Sequence, residues 1–225
     1  GGSNPRPGEI SLAHNGALFL DEFPEFHRSA LEALRAPLET GRVLISRAKA
    51  AVSYPARFQL IAAMNPCPCG RLGAKNMNCS CSRTKIASYL SRLSGPILDR
   101  IDLHVELESV PIETISTNIG ASQEDESHFI AQITIGRDLQ LKRGIINARA
   151  GSSEIKKYFQ VESSALSLLE RASQRLNLSA RSALRIIKVA RTIADLEQAK
   201  NVEAKHLAEA ISFRKLERIK EYCIG

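Results

Sequence analysis

Asp21 and Glu22 close the apolar run Ala17-Leu18-Phe19-Leu20. Carboxylates at the C-terminal end of a buried parallel strand stand at the sheet edge where ligands bind. One can hold Mg²⁺, directly or through water, while its neighbour orients or deprotonates an attacking water. A strand that simply emerges into solvent has the same pattern. Asn65 directly follows a second apolar run, Phe58–Met64. On a neighbouring strand its amide would lie beside the acidic pair, near a γ-phosphate or the attacking water; Asn-Pro alone is a turn signal. Arg100 precedes a third apolar stretch, Ile101–Leu107. An arginine there can reach the nucleotide of a neighbouring subunit and neutralise transition-state charge, or form a local ion pair with Asp99 or Asp102.

Cys67, Cys69, Cys79 and Cys81 form C-x-C-x9-C-x-C. Four thiolates this close in sequence can close a tetrahedral zinc site. The C-x-C spacing is tighter than the usual C-x2-C, so strain is expected, and four free thiols in a loop are the alternative. No secretory signal opens the chain, which favours reduced thiols or a metal over disulfides. Arg71, Lys75, Arg83 and Lys85 flank the cysteines and would make a folded knuckle a nucleic-acid contact. Cys223 stands alone. His14, His27, His104, His128 and His206 lack ligand spacing and read as surface or capping residues. Tyr54, Phe58 and Tyr89 can stack on bases, although packing is the commoner fate of such side chains.

The elements that must position these residues are an α/β arrangement followed by helices. Residues 1–15 read as a loop or short insert. Ala17–Leu20 and Phe58–Met64 read as buried parallel strands. Between them, Phe26, Ala30, Leu31, Leu34 and Leu38 share a helical face that Gly41 closes. Arg42–Arg47 and Ala51–Tyr54 suit a hairpin. Ile86–Leu93 looks helical, and Ile101–Leu107 is the third strand candidate. Ser109 to Ser127 reads as a linker. Beyond it, Ser163 or Ser164 can cap a helix with Ala165, Leu168, Leu169, Ala172 and Leu176 on one face. Ser179 can cap the next, with Ala183, Ile186, Ile187, Ala190, Ile193 and Ala194, and a last helix spans about Val202–Phe213.

The net charge is +7, and its distribution is uneven. From Thr40 to Leu98 there is no Asp or Glu but nine basic residues, among them Arg47 and Lys49 at the hairpin tip; the rest of the chain holds 22 basic and 24 acidic residues. One segment thus carries the positive excess, as a phosphate-facing surface does; a merely solvated basic face is the alternative. No apolar run approaches the ~20 residues of a membrane span, and a soluble cytoplasmic protein is expected.

The runs GEISLAHNGALFLDEFPEF, ARFQLIAAMNPCPCG, LSGPILDRIDLHVE and LSARSALRIIKVARTIADLE resemble, in this order, the magnesium-chelatase-like AAA+ ATPases of bacteria, the ComM/YifB family. The likeness covers essentially the whole chain. It implies a partial AAA+ core over 1–108, a linker over 109–127, and a helical lid over 128–225. By the resemblance, Asp21 and Glu22 match the Walker B pair, Asn65 sensor 1, Arg100 the arginine finger and Arg181 sensor 2. Residues 1–15 match the helix-2 insert, and 42–57 match the pre-sensor-1 hairpin, which in related ring motors touches nucleic acid through positions such as Arg47 and Lys49. ATP and Mg²⁺ are the implied cofactors, with Zn²⁺ possible at the cysteines. A hexameric ring and DNA are the implied partners, in branch migration during recombination of incoming DNA.

The sequence departs from the family pattern in having no G-x-x-x-x-G-K-[ST] loop. It therefore reads as part of a longer protein, and this chain alone is expected not to hydrolyse ATP. Two other functions remain open: a chelatase-type motor remodelling a protein or metal-insertion partner, and a non-enzymatic zinc-stabilised DNA-binding module.

Overall fold

The computed structural model describes residues 6–47, 50–73, 78–107 and 123–214. It divides into two compact units, one running to Ile101 and one beginning at Asp102.

Among the described residues the first unit opens with a short helix, α1 (Glu9–Leu12), within the stretch 1–15 read as a loop or short insert. Strand β1 (Ala17–Leu20) pairs in parallel with β4 (Gln59–Ala62), in the register Ala17↔Gln59 to Leu20↔Ala62. The pair is less buried than a parallel sheet usually is: Phe19 is 60% and Ile61 44% exposed, because among the described residues this sheet contains no strand besides β1 and β4. After β1 come a 3-10 turn (Phe23–Glu25), α2 (Arg28–Ala33) and α3 (Arg35–Thr40). Leu31 and Leu34 are buried as the periodicity predicts. Phe26 and Ala30 are exposed instead; Phe26 falls outside the helix, which starts only after His27, whose ring accepts the Ser29 N–H, and is interrupted at Leu34.

Gly41 ends α3 at φ 66, the left-handed conformation that glycine adopts without strain. The chain then turns into the predicted hairpin, β2 (Arg42–Arg47) against β3 (Ala50–Pro55). Helix α4 (Arg83–Leu90) is capped by Ser82, whose hydroxyl accepts the Lys85 N–H. A short α5 (Gly95–Leu98) follows, with proline in its first turn.

The expected third strand, Ile101–Leu107, does not form among the described residues. It makes one isolated bridge, His104 with Arg214, and the His104 N–H donates to the Phe213 carbonyl at 2.7 Å. Leu103, Val105 and Leu107 stay exposed because no further described strand pairs with this segment.

The second unit is helical: α6 (Gln123–Arg143), α7 (Ser152–Tyr158), α8 (Ser163–Leu176), α9 (Ala180–Leu196) and α10 (Ala204–Ser212). Helix α6 begins inside the stretch read as linker, of which 109–122 lie outside the described residues. The cap of α8 is Glu162 rather than Ser163 or Ser164, whereas Ser179 caps α9 as expected. Ala165 and Leu169 of α8, Ile186, Ile187, Ala190 and Ala194 of α9, and Leu207 and Ala210 of α10 meet in one core with Phe159 and Val202.

A polar hub sits within that core. Arg191 donates to the carbonyls of Phe159 (3.3 Å), Ala199 (2.6 Å) and Lys200 (2.9 Å) and pairs with Asp195 at 3.0 Å. Asp195, fully buried, also pairs with Arg143 and accepts the Asn147 side-chain amide at 2.8 Å. Burial lowers the Arg191 pKa and the Asp195 charge opposes it. Removing one member leaves buried cations without their counter-charge. Asp195→Ala is therefore expected to lower unfolding stability by about 3–5 kcal/mol, read as a shifted midpoint in urea denaturation.

Candidate functional site

Asp21 and Glu22 leave β1 at the end where β4 also leaves the sheet. Ladder bonds continue past both strands: the Ala63 N–H donates to Leu20 O and the Phe23 N–H to Ala63 O, each at 2.9 Å. Both carboxylates are exposed, and Asp21 Oδ1 accepts the Glu22 N–H at 2.8 Å. Glu22 is left-handed (φ 49, ψ 43), a conformation that costs a non-glycine residue energy. Phe23, 2% exposed, anchors the chain directly after this corner.

Asn65 lies three residues past β4, exposed, with its side-chain oxygen against Gly70: a Cβ added at Gly70 would stand 3.7 Å from it. Tyr89 of α4 ties this edge together. Burial raises its hydroxyl pKa, then the charge of Glu25; a backbone hydrogen bond at Asn65 opposes, and Cys67 and Glu22 add to the rise. Packing, the commoner fate weighed for Tyr89 against stacking on bases, is what the structure shows, and its i+3 spacing from buried Ile86 is the local signal for it. Arg92, one turn on, pairs with Glu25 at 2.5 Å and donates to Pro24 O.

Arg100 follows α5 rather than preceding a strand. It is 6% exposed, pairs with Glu39 of α3 at 2.9 Å and donates to Pro96 O at 2.6 Å. The expected local partners differ: Asp102 pairs instead with Arg185 of α9, at 2.6 Å. Nothing in the sequence near Arg100 signals Glu39. Arg181 is exposed in the first turn of α9, in the second unit. Arg47 pairs with Ala50 at the hairpin end, and Lys49 lies outside the described residues. Leu44 on the same hairpin is 70% exposed.

Past Asn65, the four cysteine sulfurs all lie within 4.8 Å of one another. Cys67 and Cys69 are 3.4 Å apart, and each is 3.6 Å from Cys79. The tight C-x-C spacing is accommodated by a turn in which Gly70, at φ 74, donates its N–H to Cys67 O at 2.9 Å. Backbone hydrogen bonds at Arg71 and Ser80, and the Cys67 thiol, draw the Cys69 thiol down to about 5. Burial and then the Cys69 sulfur push Cys81 up. The cluster is walled by Ile86, Tyr89, Leu90, Met64 and Leu72. Lys75, Cys223 and residues 1–5 lie outside the described residues.

Of the histidines read as surface or capping residues, His206 is a buried capping residue, its ring serving in the capping box of α10 and meeting Glu197 at 3.1 Å, whereas His104 is buried rather than on the surface. His14 accepts the Arg57 N–H at 3.0 Å.

Residues 1–115 match the family model of magnesium chelatase, subunit ChlI, and 123–214 match that of the same subunit's C-terminal region. The chain is 46% identical over 221 residues to competence protein ComM of Haemophilus influenzae, and 44% identical over 220 residues to YifB of Escherichia coli, an uncharacterized protein. Each alignment covers 97% of this chain and 43% of the relative, so the chain spans less than half the length of these proteins. A more distant relative is the DNA replication licensing factor Mcm6 of Drosophila melanogaster, 24% identical over 217 residues, 90% of this chain and 25% of that protein.

The strained corner at Glu22 generates a stability prediction. Glu22→Gly removes the left-handed penalty and is expected to raise unfolding stability by about 1 kcal/mol, measured by urea denaturation of the chain. Unchanged or lower stability would mean that contacts of the carboxylate hold the corner.

Proposed function

The chain belongs to the magnesium-chelatase-like family of ComM and YifB, and we propose that it forms part of an AAA+ ring motor that uses ATP to act on DNA. The observation carrying this reading is the in-register parallel pairing of β1 and β4, which sends Asp21, Glu22 and Asn65 off one edge of the sheet. Exposed carboxylates at a strand end are hard oxygen donors and fit a Mg²⁺–nucleotide complex. Asp21 would hold the ion, which neutralises phosphate charge when bound. Glu22 would orient or deprotonate the attacking water, and the Asn65 amide would fix the same water or the terminal phosphate. Arg100 of a neighbouring protomer would stabilise developing charge after exchanging Glu39 for phosphate, and Arg181 would bind nucleotide from the helical lid.

DNA as the track is supported by the acid-free segment from Thr40 to Leu98, which contains the β2–β3 hairpin, and by the names of the relatives, one a competence protein and one a DNA replication factor. The hairpin lies in the crossover between the two catalytic strands, so a phosphate contact there is mechanically linked to the acidic edge.

In the whole protein, Glu22→Gln is expected to reduce DNA-stimulated ATP turnover by about 10²–10⁴-fold, the usual loss for a general base; turnover within a few-fold of wild type removes Glu22 from the mechanism. The logarithm of DNA affinity should fall linearly with the logarithm of salt concentration. Charge reversal of Arg47 and Lys49 should flatten that slope by roughly 2, about 0.9 for each lost phosphate contact. An unchanged slope excludes the hairpin as the DNA contact, and no salt-dependent binding at all favours a chelatase-type motor with a protein partner.

A further inference from the structure

We propose that Cys67, Cys69, Cys79 and Cys81 bind one Zn²⁺ as a tetrathiolate, and that this ion clamps the loop carrying Asn65 onto helix α4.

The sulfur positions have the dimensions of a mononuclear site. A tetrahedral zinc with Zn–S of about 2.3 Å sets its sulfurs about 3.8 Å apart. The separations of 3.4, 3.6 and 3.6 Å, with all four sulfurs inside 4.8 Å, are close to that figure. A disulfide requires about 2.05 Å, and all four cysteines are free thiols. An iron–sulfur cluster spreads its thiolates over two or more irons and needs a wider set. The backbone supplies the outer layer that metal thiolates use: the Cys81 N–H donates to Cys79 Sγ at 3.4 Å, and backbone hydrogen bonds at Arg71 and Ser80 reach Cys69. Binding would release the protons of the un-ionised thiols to solvent and leave a site of net charge −2. Arg71 and Arg83 stand close to the cysteines in sequence, in a segment without any carboxylate.

The mechanical consequence comes from chain position. Cys67 and Cys69 belong to the loop that leaves β4 through Asn65, while Cys79 and Cys81 lead directly into Ser82, the cap of α4. A single ion therefore joins the two ends of residues 67–81. Cys67 is fully buried against Tyr89 and Leu90 of α4, and Gly70 within the knuckle backs the Asn65 side chain. Zinc would join the two ends of this loop and so limit where Asn65 can go.

The test has two arms, both on the 225-residue chain purified without added metal or chelator. Elemental analysis is expected to give about one zinc per chain. A value near zero for every metal, or iron in place of zinc, overturns the assignment. Because Cys67 is fully buried and its replacement risks the fold, the clamp is tested on the unaltered chain by hydrogen exchange. The amides of Asn65, Cys67, Cys69 and Gly70 are followed with zinc bound and after chelation. They are expected to exchange about tenfold faster or more without zinc, while amides of α9 keep their rates. Equal rates at Asn65, or an equal acceleration of α9, overturn the clamp. The importance of Asn65 rests on the motor reading, but neither arm contains nucleotide, so failure of the clamp and failure of the motor are separately visible.

Discussion

Parallel hydrogen bonding between β1 (Ala17–Leu20) and β4 (Gln59–Ala62) is the constraint on which the acidic edge depends. Parallel neighbours share a direction, so the segments leaving their C-terminal ends emerge on the same side of the sheet. Had the two strands run antiparallel, Asn65 would stand at the opposite end of the pair, about 13 Å from the carboxylates for four residues of strand. The ladder persists beyond the strands proper, through Ala63 and Phe23, and carries the two chain segments out together. Parallel pairing also demands a long crossover. This chain uses it to insert α2, α3 and the basic hairpin between the two strands, so hairpin and acidic edge share a single covalent path.

Around that edge, different interactions hold different residues. The Glu22 corner is held by burial of Phe23 directly after it. Asn65 has Gly70 of the cysteine knuckle against its side chain and Tyr89 at its backbone. Arg100 is held by Glu39, a 2.9 Å pair in which the arginine is almost wholly buried and the carboxylate is not. An ion pair with one accessible partner can be exchanged for another anion at lower cost than a fully buried one. That asymmetry contrasts with the second unit, where both Arg191 and Asp195 are out of solvent.

Much of the helical unit was legible from its residues. The faces of α8 and α9 and the Ser179 cap arise from local periodicity and from one hydroxyl accepting one backbone N–H, and neither needs a distant partner. The hairpin was equally legible from its two short runs. The strand expected at Ile101–Leu107 was not a strand, although Leu103, Val105 and Leu107 alternate as a strand should. Alternation describes what a segment offers, whereas a strand exists only when a neighbour accepts its hydrogen bonds. Phe26 shares a helical face with Leu31 and Leu34 on paper, but the helix begins only after His27 and leaves it outside.

By itself the sequence determined which side chains can carry chemistry: the paired carboxylates after an apolar run, four cysteines at close spacing, and a long segment purged of acidic charge. Residue type and short-range spacing are properties of the chain before it folds. Only the tertiary structure decided which groups meet. It set four sulfurs within 4.8 Å, gave Arg100 to Glu39 and Asp102 to Arg185, and gathered Arg143, Asn147 and Arg191 around Asp195. Each of these pairs joins residues whose separation in space depends on the whole backbone path between them, or on the turn of a helix against its neighbours, and no local pattern carries that information.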